Sequence, residues 1–307
     1  MRLDRLITLG LVQPIHRAVS GAKRAQLPIL MYHSISEGAE DAVSPYYRTV
    51  TRPAIFAQHM ALLHVEGYRV VSLQAGLHEF RSGCSDIRKT VVLTFDDGLR
   101  DFYTSAFPIL QEYEQTASVF LPTAFIGDQP GRFKGRECMT WSEARELNEA
   151  GIEIGSHTVN HPRLYELGFD EIRAELANSK AVIEDRLGSA VVSFAYPYAF
   201  PSGDRRFVAR LEELLRAAKY ECGVTTRIGR ASANDQLFTL PRLPMNSADD
   251  RSLFLAKLQG AYDWLAVVQT SFKGLSCRAP RRTNTADDKG DDSSCQPSGT
   301  TPASPGS

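Results

Sequence analysis

The chain has 307 residues, 43% of them hydrophobic, which is enough apolar surface for one large α/β domain or two ordinary ones. Lys and Arg number 35 against 36 Asp and Glu, so the formal charge of −1 gives composition no reason to propose nucleic acid or an anionic membrane surface as partner. Five cysteines (Cys84, Cys138, Cys222, Cys277, Cys295) lack any CxxC spacing and are odd in number. That argues against a complete disulfide framework and fits reduced thiols in a cytoplasmic setting.

The first residues start basic and become apolar, but Asp4 interrupts the run and Gln13-Pro14-Ile15-His16-Arg17 offers no small-residue cleavage pattern, so no signal peptide is expected. Residues 1–26 read instead as a basic, amphipathic segment that could cover an apolar groove or rest peripherally on a membrane. No later segment approaches transmembrane length.

Leu27 to His33 reads as a strand ending in a histidine, and Glu37 to Ser44 as a polar loop. Pro53 opens a helix that Gly67 ends, before a short strand from Tyr68 to Val71 and a helix around Leu73 to Phe80. Thr90 to Phe95 is an apolar, β-branched run that ends in Asp96-Asp97-Gly98, as a buried strand delivering two carboxylates to its C-terminal end. Neighbouring strand side chains point to opposite sides, so both acids can face one pocket only if the strand breaks there, and Gly98 permits the break. One carboxylate could then bind a cation while the other takes a proton from water. The plainer alternative is a turn in which Asp97 caps the next helix.

A helix from about Asp101 to Tyr113 and a strand from Thr116 to Leu121 lead into Gly127 to Cys138, which reads as a long exposed loop. Thr140 or Ser142 caps a helix that Gly151 stops. A strand from Ile152 to Gly155 then leads to His157-Thr158-Val159-Asn160-His161-Pro162. The remaining elements are a helix from Asp170 to Leu187, a strand from Val191 into Tyr196-Pro197-Tyr198, and a helix near Asp204 to Ala218. A strand near Glu221, the segment from Phe238 to Arg242 and a helix from Asp249 to Leu258 follow. This alternation over residues 27–268 predicts an α/β fold, a distorted (β/α) barrel of about seven parallel strands. Residues 269–307, rich in Ser, Thr, Asp, Gly and Pro, read as a disordered tail.

His157 and His161 with Asp97 make a facial set of two imidazoles and a carboxylate that suits a divalent metal, with Zn²⁺ the best fit, and leaves positions open for water and substrate. A chance HxxxH pair is the alternative, but each candidate falls at the C-terminal end of its own strand, the rim where parallel barrels gather catalytic groups. Trp141 could line a sugar pocket or simply pack in the core. Tyr46, Tyr47 and Phe133 are further loop candidates.

Thr94-Phe95-Asp96-Asp97-Gly98, then His157 to His161, then Tyr196-Pro197-Tyr198 resemble the motifs of the polysaccharide deacetylase family (carbohydrate esterase family 4). The resemblance covers about residues 27–260 and implies metal-dependent hydrolysis of N-acetyl groups, or O-acetyl groups, on a carbohydrate. It implies Asp96 as general base, Asp97, His157 and His161 as metal ligands, and the Tyr198 backbone N–H in the oxyanion hole. Two departures stand out: no arginine precedes Tyr196, and no C-terminal Leu-His carries a general acid. Leu27 to His33 looks like that last motif moved to the front, as in the circularly permuted deacetylases that act on poly-N-acetylglucosamine. His33 is then the general-acid candidate, with a core histidine as its alternative. Arg242 is the candidate for the missing arginine, since a fixed guanidinium beside Asp96 would orient it and keep it ionised, with a surface arginine beside two prolines as its alternative. A catalytically silent glycan- or metal-binding module, or a non-haem iron oxygenase with the same ligand types, are the rival functions.

Overall fold

The computed structural model describes residues 2–19, 25–38, 40, 42–83, 87, 89–266 and 268–269. Parallel strands covered on both faces must be apolar on both, and the strand Thr90–Phe95 is buried along its whole length. Seven such strands close a ring: β1 (Ile29–Tyr32), β3 (Thr90–Phe95), β4 (Ser118–Leu121), β5 (Glu153–Ser156), β6 (Ser193–Ala195), β7 (Cys222–Ile228) and β8 (Leu240–Pro244). A short strand, β2 (Arg69–Val71), pairs only with the first half of β3. Closure falls to β1, whose Leu30 stands opposite Leu243 of β8 on one side and Leu93 of β3 on the other.

Helices α1 (Pro53–Val65), α2 (Leu73–Ser82), α3 (Phe107–Glu112, after a π turn at Phe102–Ala106), α4 (Trp141–Glu149), α5 (Phe169–Leu187), α6 (Arg205–Ala217) and α7 (Arg251–Gln259) connect them. Their ends follow local chemistry. Ser72, Thr140, Asp204 and Asp250 accept the orphan N–H groups of first turns, and Thr140 with Glu143 completes a capping box. Gly83, Gly188 and Gly260 close helices in the left-handed conformation.

Period-two alternation separates two cores. Leu93 and Phe95 point outward into the main cluster, where Phe95 meets Tyr32 at 5.3 Å and Phe102 at 4.6 Å between ring centres. Val92, Phe120, Ala195, Val224 and Leu240 form the second cluster inside the barrel. Thr94 and Asp96 lie two and four residues beyond Val92, and Arg242 two beyond Leu240, so the same alternation sends all three to the interior.

Two sequence-based expectations shift. The loop over 127–138 contains a hairpin, Arg132–Phe133 with Arg136–Glu137, turned by Lys134 and Gly135 at φ 49° and 79°. Lys-Gly is not the usual pair for such a turn, and charge masked the short strands. Gln269, assigned by composition to the tail, bonds Ile228 N–H and Thr226 C=O of β7 at 3.0 Å each, while residues 270–307 lie outside the described residues. The N-terminal segment is helical through Leu3–Ile7, Thr8–Val12 and Gln13–Val19, with a π turn in the middle. Among the described residues no helix is long and apolar enough to cross a membrane.

Gly155 of β5 shows how tightly the barrel is filled: a Cβ there would lie 2.6 Å from the fully buried Phe120 ring and 2.7 Å from Ser193 Oγ. Gly155→Ala is expected to destabilise the protein by about 1–3 kcal/mol. Urea denaturation tests this, and an unchanged midpoint would contradict it.

Candidate active site

β3 stops at Phe95, and the chain then enters the left-handed region at Asp97 (φ 71°) and Gly98 (φ 58°). That reversal breaks the alternation and lets consecutive acids share one mouth of the barrel. Gly98 is required twice over: besides its φ, a Cβ would meet Ile126, Leu121 and Pro122 at 3.0–3.2 Å.

Asp97 Oδ1 lies 3.2 Å from His161 Nε2 and 3.6 Å from His157 Nε2. His157 directly follows β5, and its Nδ1 lies 2.8 Å from the Ala195 carbonyl at the end of β6. A carbonyl can only accept, so Nδ1 carries the proton and the Nε2 lone pair faces Asp97. His161 is reached through a non-helical loop with Thr158 at φ 70° and His161 itself at φ 52°, consistent with Pro162 barring a helix. All three side chains are buried, and their donor atoms fall within 4.8 Å of one another. Two neutral imidazole nitrogens and one carboxylate form an open facial set that could hold a divalent cation and leave room for further ligands.

Burial alone would raise the Asp97 carboxyl, but the adjacent His157 and His161 imidazoles outweigh it and hold the group well below the usual carboxylate range. Burial pushes His161 down to about 4, which keeps its ring neutral, as a ligand must be.

Asp96 is treated differently. Arg242, fully buried, grips it with two parallel bonds, Nη1 to Oδ1 and Nη2 to Oδ2, both 2.7 Å. The same guanidinium donates to Thr94 Oγ1 at 3.1 Å and to the Thr225 carbonyl at 3.0 Å. Against the upward pull of burial, Arg242 keeps Asp96 below the ordinary carboxylate range.

His33, the residue after β1, brings Nε2 to 4.0 Å from Asp96 Oδ2 and keeps one-fifth of its side chain exposed. Burial lowers its pKa, against the upward pull of Asp97 and Asp96. It also lines a cavity of about 490 Å³ whose walls include Met31, Tyr46, Tyr47, Thr226 and Met245. Tyr198, in the turn after β6 at φ 58°, sets its ring 4.6 Å from that of His161.

Seven of the eight sequence-derived residues therefore converge: His33, Asp96, Asp97, His157, His161 and Arg242, with Tyr198 beside them. Trp141 does not join them. Its ring is 3% exposed, packed in the outer core with the Arg186 guanidinium 5.7 Å away, so it has no face to offer a sugar. Sequence reasoning missed Lys134, whose Nζ at the hairpin tip lies 3.7 Å from Asp97 Oδ2 and 5.1 Å from the centre of the Tyr198 ring. Its only signal was the Lys-Gly pair between two short strands. The neighbouring Phe133 is buried, 4.8 Å from the His161 ring.

Residues 85–216 match the family model described as polysaccharide deacetylase. The chain is 32% identical over 241 residues to the Bacillus subtilis (strain 168) protein YxkH, assigned to the polysaccharide deacetylases by name, covering 77% of each sequence. It is 28% identical over 249 residues to the poly-beta-1,6-N-acetyl-D-glucosamine N-deacetylase of Escherichia coli (strain K12), which it matches over 70% of its own length and 36% of that protein's. Among solved structures, the Streptococcus pyogenes deacetylase PplD in complex with acetate superposes with a TM-score of 0.67 at 27% identity, over 77% of this chain and 99% of that one.

If the cluster binds Zn²⁺, a metal concentration one hundred times Kd is expected to stabilise the protein by about 2.7 kcal/mol. His157→Ala should remove that increment and cut affinity more than tenfold, whereas His33→Ala should keep both. Thermal melts with and without metal, alongside titration calorimetry, test this; wild-type protein unmoved by Zn²⁺ would refute the cluster as a zinc site.

Proposed function

The chain belongs to the polysaccharide deacetylase family, and on that premise we propose that it removes N-acetyl groups from an N-acetylglucosamine-containing glycan with a divalent cation held by Asp97, His157 and His161. One observation carries the reading: a buried carboxylate clamped by arginine, a partly exposed histidine and an open facial ligand set share one end of the barrel. A structural metal site would need neither the first nor the second.

Bound there, the cation would polarise the acetyl carbonyl and acidify a water. Asp96 takes the proton from the attacking water, its orientation fixed by the Arg242 fork. The water oxygen bonds to the carbonyl carbon, and the Tyr198 backbone N–H donates to the oxygen on which negative charge gathers. When the C–N bond breaks, His33 gives its proton to the departing nitrogen, so acetate and a free amine leave. The cavity beside His33 has the size of ordinary ligand pockets and apolar walls against which sugar faces can stack. The E. coli relative named for poly-beta-1,6-N-acetyl-D-glucosamine makes that polymer the first substrate to try.

Free-amine release from N-acetylated β-1,6-glucosamine oligomers and from chitooligosaccharides tests the reading. Wild-type protein should release amine, and a chelator should stop it. Asp96→Asn and His33→Ala should each lower kcat by roughly 10²- to 10⁴-fold while retaining metal. Full turnover by Asp96→Asn would end the assignment, and a metal-loaded wild type inert on every glycan would favour a silent binding module.

A further inference from the structure

The N-terminal helix is docked with its faces inverted. A surface helix ordinarily turns its apolar stripe to the core and its polar face to water. Here the polar side chains face the barrel. Arg2 bonds the Ala248 carbonyl and Asp249 Oδ1 at 3.0 and 3.1 Å, and Asp4 accepts from Tyr262 Oη at 2.7 Å. Thr8, fully buried, accepts from Trp264 Nε1 at 3.0 Å, and Arg5 reaches Asp250 at 2.8 Å. Leu3, Leu6, Leu11 and Ile15 are left outside, 66%, 44%, 60% and 55% exposed. Their spacing of three to five residues, with exposed Gly10 and Pro14 between, runs them along one side of the rod.

We infer that this outward stripe is a peripheral docking surface for an anionic lipid bilayer, lying in the interface with its four aliphatic side chains among the acyl chains. Two observations select a bilayer over a second copy of the chain. Four half-exposed aliphatic side chains offer on the order of 400 Å², about half of the roughly 800 Å² that each partner contributes to a standard protein interface. Charge points the same way. Arg2 and Arg5 are spent on Asp249 and Asp250, but residues 6–26 hold three further basic side chains (Arg17, Lys23, Arg24) and no acidic one, in a protein whose whole charge is −1. A short apolar stripe beside a local excess of positive charge has the chemistry of an interfacial helix.

The placement also concerns the cavity. Leu265, in its wall, follows the Trp264 that holds Thr8. The inner side of the helix is therefore seated one residue from the cavity wall. The docking itself is independent of the reaction proposed above.

Co-sedimentation of the full chain with vesicles tests it. Wild-type protein should pellet with vesicles of phosphatidylcholine and phosphatidylglycerol, less so in high salt, and weakly with phosphatidylcholine alone. Leu6→Glu with Leu11→Glu should lower the bound fraction roughly tenfold or more. Both positions are exposed, so the thermal midpoint and amine release from a soluble oligosaccharide should stay unchanged. Wild-type protein that remains in the supernatant with both vesicles overturns the inference, as does a double variant that pellets like wild type. A wild-type dimer by light scattering that the double variant dissolves, without vesicle binding, would show a second copy as the occupant and overturn it too.

Discussion

The buried fork between Arg242 and Asp96 ties the barrel to its chemistry. Four N–H bonds of one guanidinium reach β3, β7 and the carboxylate beyond β3, so a single side chain from β8 spans the interior. Enclosing a charged pair is expensive, and removing one partner of such a pair typically costs 3–5 kcal/mol because the other is left uncompensated. A hydrophobic pair of similar volume would fill the space at less risk. What the ions add is position: Asp96 has neither freedom to rotate nor any tendency to hold a proton. The gain is offset by basicity, since a carboxylate kept below its ordinary range is a weaker proton acceptor. In the proposed reaction the pair favours a base that is always ionised and always aimed over one that is intrinsically strong.

The same preference shows in the backbone. Of the seven non-glycine residues at positive φ among the described residues, Asp97, Lys134, Thr158, His161 and Tyr198 gather at the barrel mouth. Each such conformation costs up to a few kcal/mol unless its surroundings hold it. Hydrogen bonds do part of that holding: His161 N–H donates to Thr158 Oγ1 at 3.0 Å, and Thr226 Oγ1 donates to the Tyr198 carbonyl at 2.9 Å. The strain allows short loops, rather than regular elements, to turn side chains from three separate strands toward one point.

Much of this was legible in the sequence, and the limits have physical reasons. Strand runs and helix caps are local, so element order could be read from periodicity, whereas Arg242 was singled out only as a stand-in for an arginine absent from the family pattern, and its interior position came from the fold. The paired acids and the two histidines carried enough pattern to be joined across some sixty residues. Trp141 was ambiguous because aromatic residues serve cores and sugar pockets alike, and only packing decides. Lys134 was hidden because its importance comes from a hairpin folding over the mouth, a non-local event. The inverted N-terminal helix was legible as amphipathic, but no sequence pattern says which face a helix turns inward.

The position of His33 shows why chain order is a poor guide in a closed sheet. An open sheet has edge strands, and moving one to the other end would expose new hydrogen-bonding groups and change every neighbour. A ring has no such edges. β1 lies between β8 and β3, in register with both at Leu30, so it is adjacent in space to the last strand of the barrel and to the strand bearing the acids. A histidine placed just after it reaches the same mouth whether its strand is made first or last. What must be conserved through such a rearrangement is the pairing register that sets the height of the side chain. A one-residue slip of β1 against β3 would send Tyr32 to the interior and turn its strand's side chains over, which the stacking of Tyr32 on Phe95 and its 3.0 Å bond to His59 Nδ1 oppose. The outer packing of β1 thus fixes the aim of the residue that follows it.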